Sequence, residues 1–166
     1  MKILLRFGVV LLGAIVLPLG ATGCSTNGNT KEKSDHDLIL LQGKWAEVSV
    51  ETPDGQSPMP DKGKPKLLHL IIQGESLKLI AGEGDAAITI SGKVVLNASK
   101  SPKQFDSDWY GKELTDDFSK IGIYKLEGGS LTVCYNNDEK ERYVRPTEFK
   151  PTRKPWCVLS VWTRAE

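Results

Sequence analysis

From Gln42 onward the chain never sustains a 3.6-residue apolar period long enough for a helix. It breaks instead into short segments with strand character, at about 43–51, 66–73, 76–81, 86–96, 103–110, 120–126, 130–136 and 157–164. The breaks carry turn chemistry: Pro53-Asp54-Gly55, Gln73-Gly74-Glu75, Gly82-Glu83-Gly84-Asp85 and Glu127-Gly128-Gly129. The first ends the opening strand; glycine reaches the positive φ that tight hairpins need, so the other three join antiparallel neighbours. Eight short strands in one domain predict an all-β fold, either an up-and-down barrel or a sandwich. The connection at 53–65 holds Pro53, Pro58, Pro60 and Pro65 and is the expected lid over an open barrel end.

The N-terminus has a different character. Lys2 and Arg6 precede an uncharged apolar run from Phe7 to Leu19, and small residues then lead to Cys24 in Ala21-Thr22-Gly23-Cys24. This is the three-part layout of an export signal over 1–23. It resembles a bacterial lipobox, in which the cysteine is lipidated and becomes the first mature residue. The run is shorter than the ~20 residues that span a bilayer, so an uncleaved transmembrane helix fits less well. Two or more acyl chains on Cys24, at about 0.8 kcal/mol per buried methylene, make the lipid bilayer the expected partner. Ser25, rather than an aspartate, follows the cysteine. By the pattern of such lipoproteins this implies a cell-envelope location, on the outer membrane facing the periplasm. Residues 24–37 are polar and read as a lipidated cysteine followed by a flexible tether, with the folded domain at 38–166. Asp35-His36-Asp37 gives no closed metal shell on such a tether. Asp35 reads instead as a cap for a short helix through Leu38-Ile39-Leu40-Leu41.

Charge narrows the function. The chain has 22 basic and 21 acidic residues, and the leader holds two of the basic ones and none of the acids. The mature part is therefore slightly acidic, which argues against a nucleic-acid partner. With 39% hydrophobic and 26% charged residues, the composition supports a packed core. No G-x-S-x-G, S-x-x-K, H-E-x-x-H or P-loop is present, and nothing calls for a metal or another cofactor. His69, in an apolar strand, has no carboxylate close by in sequence. An enzyme is not expected.

Several residues carry more specific expectations. Cys134 and Cys157 fall on the last two strands. In an oxidising compartment they read either as a disulfide, worth about 3 kcal/mol for a loop of this length, or as two separate buried thiols. Period two puts Trp45, Glu47 and Ser49 on one face of the first strand. If Trp45 points inward, so does Glu47, and an interior carboxylate needs a partner or water. A wet cavity for a cationic or hydrogen-bonding ligand satisfies that need. A bulge, or a place at the solvated mouth, satisfies it too. In the charged segment 139–146, Arg145 together with Glu148 is expected to pin a loop to the barrel. Arg142 with Arg145 is the alternative, an anion site.

A family resemblance runs through these strands. Leu41-Gln42-Gly43-Lys44-Trp45, Pro102-Lys103-Gln104-Phe105-Asp106, Gly122-Ile123-Tyr124-Lys125-Leu126-Glu127-Gly128 with Leu131-Thr132-Val133-Cys134, and Arg145-Pro146-Thr147-Glu148-Phe149 together resemble a lipocalin-like domain family of bacterial secreted proteins. The resemblance covers nearly all of 38–164. It implies an eight-stranded antiparallel lipocalin-like barrel and no catalytic residues. Gly43-x-Trp45 is similar to the G-x-W start of lipocalins, where the tryptophan closes the barrel base and a late arginine stacks on it. Gly43 and Arg164 take those structural parts here. The expected lining is Trp45, Glu47, Leu77, Leu79, Ile88, Ile90, Tyr124 and Leu131. A small amphipathic ligand is the first functional expectation, and it calls for a cavity above about 300 Å³. The second is a filled barrel meeting an envelope protein through exposed Trp109, Tyr110 and Trp156.

Overall fold

The computed structural model describes residues 26–55, 68–82, 84, 87–110 and 118–166. The leader, Cys24 and all but the first residues of the proposed lid lie outside these. The described chain begins with helix α1 (Thr26–Leu41). The strands that follow are β1 (Gly43–Glu51), β2 (Leu68–Gln73), β3 (Ser76–Ala81), β4 (Ile88–Asn97), β5 (Lys103–Tyr110), β6 (Phe118–Glu127), β7 (Ser130–Asn136), β8 (Thr152–Arg153) and β9 (Trp156–Arg164). Each strand pairs antiparallel with the next through β7, β7 pairs with β9, and β9 pairs back to β1. The result is a closed eight-stranded antiparallel barrel, with the two-residue β8 added outside against β9. Closure removes free sheet edges.

The eight barrel strands lie within two residues of the expected segments at every end. Two features depart from expectation. The stretch expected to be a tether from 25 to 37 is helical from Thr26, and α1 runs without a break through Leu41. Asp35 therefore sits inside this helix and does not cap a shorter one. The second concerns Ser49, and its cause is a bulge in β1, which is one of the alternatives raised for Glu47. Glu47 lies opposite Trp162, and Ser49 is already opposite Val161, so Val48 is the extra residue and is 57% exposed. Beyond the bulge Val50 faces Ser160, and the inward face passes from odd to even positions. Ser49 thus does not share the inner face with Trp45 and Glu47.

Alternation sorts the barrel interior into two layers. The layer nearest α1 packs Trp45, Ile72, Leu77, Val94, Tyr124 and Leu131 into one apolar core with Leu41 and Leu38. The helix seals that end through a stripe of i, i+3, i+4, i+7 positions: Ser34, Asp37, Leu38 and Leu41. The Ser34 hydroxyl accepts from the Ala98 amide at 3.1 Å. Asp37, only 6% exposed, accepts from the Tyr124 hydroxyl at 2.5 Å and pairs with Lys103 at 2.6 Å. Burial, and then the Asp37 carboxylate, hold the Tyr124 hydroxyl firmly in its protonated, donating form. The Trp45 indole N–H donates to the Leu41 carbonyl at 2.8 Å. The Arg164 guanidinium lies 4.4 Å over the Trp45 ring and donates to the carbonyls of Leu40 and Gln42. It thereby satisfies carbonyls that a helix leaves unpaired at its C-terminus. Gly43 sits at φ +111°, where a side-chain carbon would come within 2.7 Å of that guanidinium. Gly43, Trp45 and Arg164 form a structural clamp at the sealed end.

A smaller cluster lies outside the barrel wall, where Ile123, Cys134, Cys157 and Leu159 are covered by Phe149. Arg145 fastens the covering segment by a two-pronged pair with Asp106 and a 2.6 Å bond to the Gly122 carbonyl. Arg145 is therefore a pin and not half of an anion site. Glu148 does not share the pinning, because it pairs with exposed Lys150. Arg142 lies 5.0 Å from the exposed Tyr143 ring.

Candidate functional site

The opposite end of the barrel is built differently. There β1, β3, β5 and β7 finish and β2, β4, β6 and β9 begin, and among the described residues the inner layer does not close over. A cavity of ≈ 210 Å³ opens between the walls. Leu68, Leu70, Leu79, Ile90, Phe105 and Val133 make its apolar sides, with Trp109 and Trp162 as the large rings. Each indole N–H is already satisfied two residues back on its own strand. Trp109 donates to Ser107 Oγ at 2.8 Å and Trp162 to Ser160 Oγ at 2.9 Å. The tryptophans therefore offer ring surface to whatever enters. Gly92 makes room for one of them, since a side-chain carbon there would lie 3.0 Å from the Trp109 ring and 2.5 Å from the Asp108 carbonyl.

Glu47, Lys120, Tyr135 and Asn137 are the further polar groups of the lining. Lys120 donates to Asn137 Oδ1. Burial lowers its pKa, and the charge of Glu139 opposes that shift. Tyr135 is pushed well up by burial first, then by the nearby negative charge of Glu47. Glu47 stands apart. The bulge at Val48 fixes where β1 places it, and no hydrogen bond or ion pair joins it to any described residue. Desolvation pushes its carboxyl up to about 7. Half-burying a carboxylate without a partner costs free energy, and the cost falls on the charged form.

The expected lining divides between the two layers. Glu47, Leu79 and Ile90 line the cavity. Trp45, Leu77, Tyr124 and Leu131 point inward but fill the sealed layer, so they are core and not ligand wall. Ile88 is 50% exposed at the start of β4 and does not line the cavity. Trp109, expected outside as an interaction residue, faces the cavity. Tyr110 is exposed and Trp156 half-buried. Lys120, Tyr135, Ser107, Ser160 and Trp162 were not expected in the site. All follow from period two on β5, β6, β7 and β9 once the inward parity is set.

Cys134 and Cys157 stand as free, buried thiols, both outside the barrel wall. Cys134 is opposite Leu159 and Cys157 opposite Asn136, so the two are not ladder partners. Cys134 Sγ lies 3.6 Å from the Lys150 carbonyl, and burial pushes its pKa up to about 11. Burial likewise raises Cys157. Neither is a thiolate nucleophile at neutral pH. Among the described residues no group of three or more His, Cys, Asp or Glu is placed to hold a metal ion, and no helix is long and apolar enough to cross a membrane. A second, outer groove of ≈ 370 Å³ runs between α1 and β4, with Ser34, Asp35 and Leu38 on one side and Val94 to Asn97 on the other. It is separate from the barrel interior. Comparison with family models, with curated proteins and with solved structures gives no match for this chain.

Proposed function

We propose that this chain is a membrane-tethered binding module of lipocalin-like form. It is exported by its leader, held in the cell envelope by lipidation at Cys24, and built to hold one small amphipathic molecule in the open end of its barrel. The observation that carries the reading is the half-filled interior. One end is packed solid, while the other keeps a cavity with mainly apolar walls and a few convergent polar groups, the usual make-up of a ligand site. Its ≈ 210 Å³ falls short of the ~300 Å³ expected of a cavity for such a ligand, so the occupant proposed is smaller than drug-sized. A filled-barrel module that meets an envelope partner is the weaker reading, since Trp109 is spent on the cavity wall.

Native mass spectrometry of the protein purified gently from an exporting host tests the binding reading. A reproducible added mass that is lost on denaturation is expected. A bare protein mass, combined with no uptake of small amphiphiles offered in excess, contradicts it. Intact mass of the same sample tests the anchor: acylation at Cys24 with loss of 1–23 is expected, and an unmodified Cys24 contradicts it.

A further inference from the structure

The binding reading leaves the ligand's chemistry open, and the cavity's charge layout narrows it. Resting on that reading, we propose that the cavity takes a small organic amine, its ammonium against the Glu47 carboxylate and its apolar body among Leu79, Ile90, Phe105 and Trp109.

Each alternative class meets an obstacle. A fatty acid or other anion would bring a second negative charge toward Glu47, and the lining's single cation, Lys120, is already engaged with Asn137. A neutral apolar molecule would leave Glu47 either ionised without a partner or forced to hold a proton. A metal ion would find one carboxylate and no histidine, cysteine or second acid in the lining. An ammonium group removes the desolvation problem, because it gives the carboxylate a counter-charge in a poorly solvated site. The neighbours suit it as well. Trp162 is the cross-strand partner of Glu47, and ring faces attract cations.

The groups around Glu47 do not compete for this part. The strands that flank β1 turn Leu68 and Leu70 from β2, and Ser160 and Trp162 from β9, toward the cavity, and none of these titrates in the working range. Lys120 on β6 and Tyr135 on β7 also line the cavity, Tyr135 near enough to feel the Glu47 charge. Tyr135, held protonated, stays neutral up to high pH. The uncompensated acid is Glu47, and its titration sets the pH dependence of the site. In the free protein it holds a proton up to about pH 7, so protons and the ammonium compete for it.

The test uses the purified full-length chain and three probes of similar size: 2-phenylethylamine, 2-phenylethanol and hexanoate. Binding is read by calorimetry and by tryptophan fluorescence. The amine is expected to bind at pH 8 at least about tenfold tighter than the alcohol, with hexanoate weakest. Its affinity should fall as pH drops through 7, by about tenfold in all, as protons claim the carboxylate. Glu47→Gln should lose about tenfold for the amine and nothing for the alcohol, while Glu47→Asp keeps part of the preference. Ile90→Phe, which fills the cavity and leaves Glu47 in place, should weaken all probes. Equal binding of amine and alcohol, or an unaltered Glu47→Gln, would overturn the amine assignment and leave the binding barrel standing. If no probe binds the wild-type chain, both readings fall.

Discussion

The two ends of this barrel use the same wall to opposite ends. At the α1 end the polar groups that face inward have protein partners: Asp37 with Tyr124 and Lys103, the Trp45 indole with Leu41, and Arg164 with the last carbonyls of the helix. At the other end Glu47 points into open volume with no such partner among the described residues. Buried polar groups raise stability only when they are paired, and an unpaired one lowers it. The difference therefore separates the part of the interior that holds the fold together from the part left to bind. Substitutions at the two ends should differ in size, and at one site in sign.

The largest effect belongs to Trp45, fully buried at the sealed end. Trp45→Ala should cost about 3–5 kcal/mol in denaturant unfolding, a large share of the roughly 5–15 kcal/mol that holds a domain folded. Loss under 1 kcal/mol would mean the sealed layer is not the structural core. Next comes the Asp37 contact. Asp37→Ala leaves the Tyr124 hydroxyl and Lys103 without their acceptor and should cost about 1–3 kcal/mol. Tyr124→Phe should lose part of the same energy, so a double-mutant cycle between the two sites should be clearly non-additive. Additive losses would show that α1 docks independently of this contact.

Arg164→Ala follows, at about 0.5–2 kcal/mol for its contact with Trp45, plus the lost capping of α1. Amide exchange should then quicken first at the C-terminal turn of α1; uniform quickening through the barrel would deny Arg164 its local role. The last effect has the opposite sign. Glu47 has a folded pKa near 7, raised from an ordinary value of 4.5. Between those values the folded state binds the proton more tightly than the unfolded one, so stability falls as pH rises through this window and levels off above it. Glu47→Gln should remove that fall: no gain at pH 4, a gain in stability at pH 8. A variant that is less stable at pH 8 would show that Glu47 has a partner in the protein.

The strands were legible because they obey period two and end at glycine-bearing turns. Helix α1 was not, and the reason lies in its docking stripe. Two of its four positions, Ser34 and Asp37, are polar, and they dock through partners far away in sequence, at Ala98, Lys103 and Tyr124. A search for apolar periodicity passes over such a helix. The inward face was legible but the height along the barrel was not. Alternation placed Leu77 and Leu79 alike on the inner wall, and only the three-dimensional closure assigns the first to core and the second to cavity. The bulge at Val48 escapes a pattern that counts by twos, and it sets the limit of the inward run that carries Glu47. The clamp of Gly43, Trp45 and Arg164 was legible because it links both ends of the chain through residues whose chemistry is distinctive.

The four tryptophans allow the comparison between the ends to be read in one spectrum. Trp109 and Trp162 face the cavity, Trp45 lies in the sealed layer, and Trp156 stands at the start of β9, away from both. Two-dimensional NMR of the indole N–H signals during titration with 2-phenylethylamine at pH 8 separates them. The account predicts saturable shifts for Trp109 and Trp162 with Trp45 and Trp156 unmoved. Shifts centred on Trp45, or no saturable shift at Trp109 and Trp162, would contradict the division into a sealed end and a binding end.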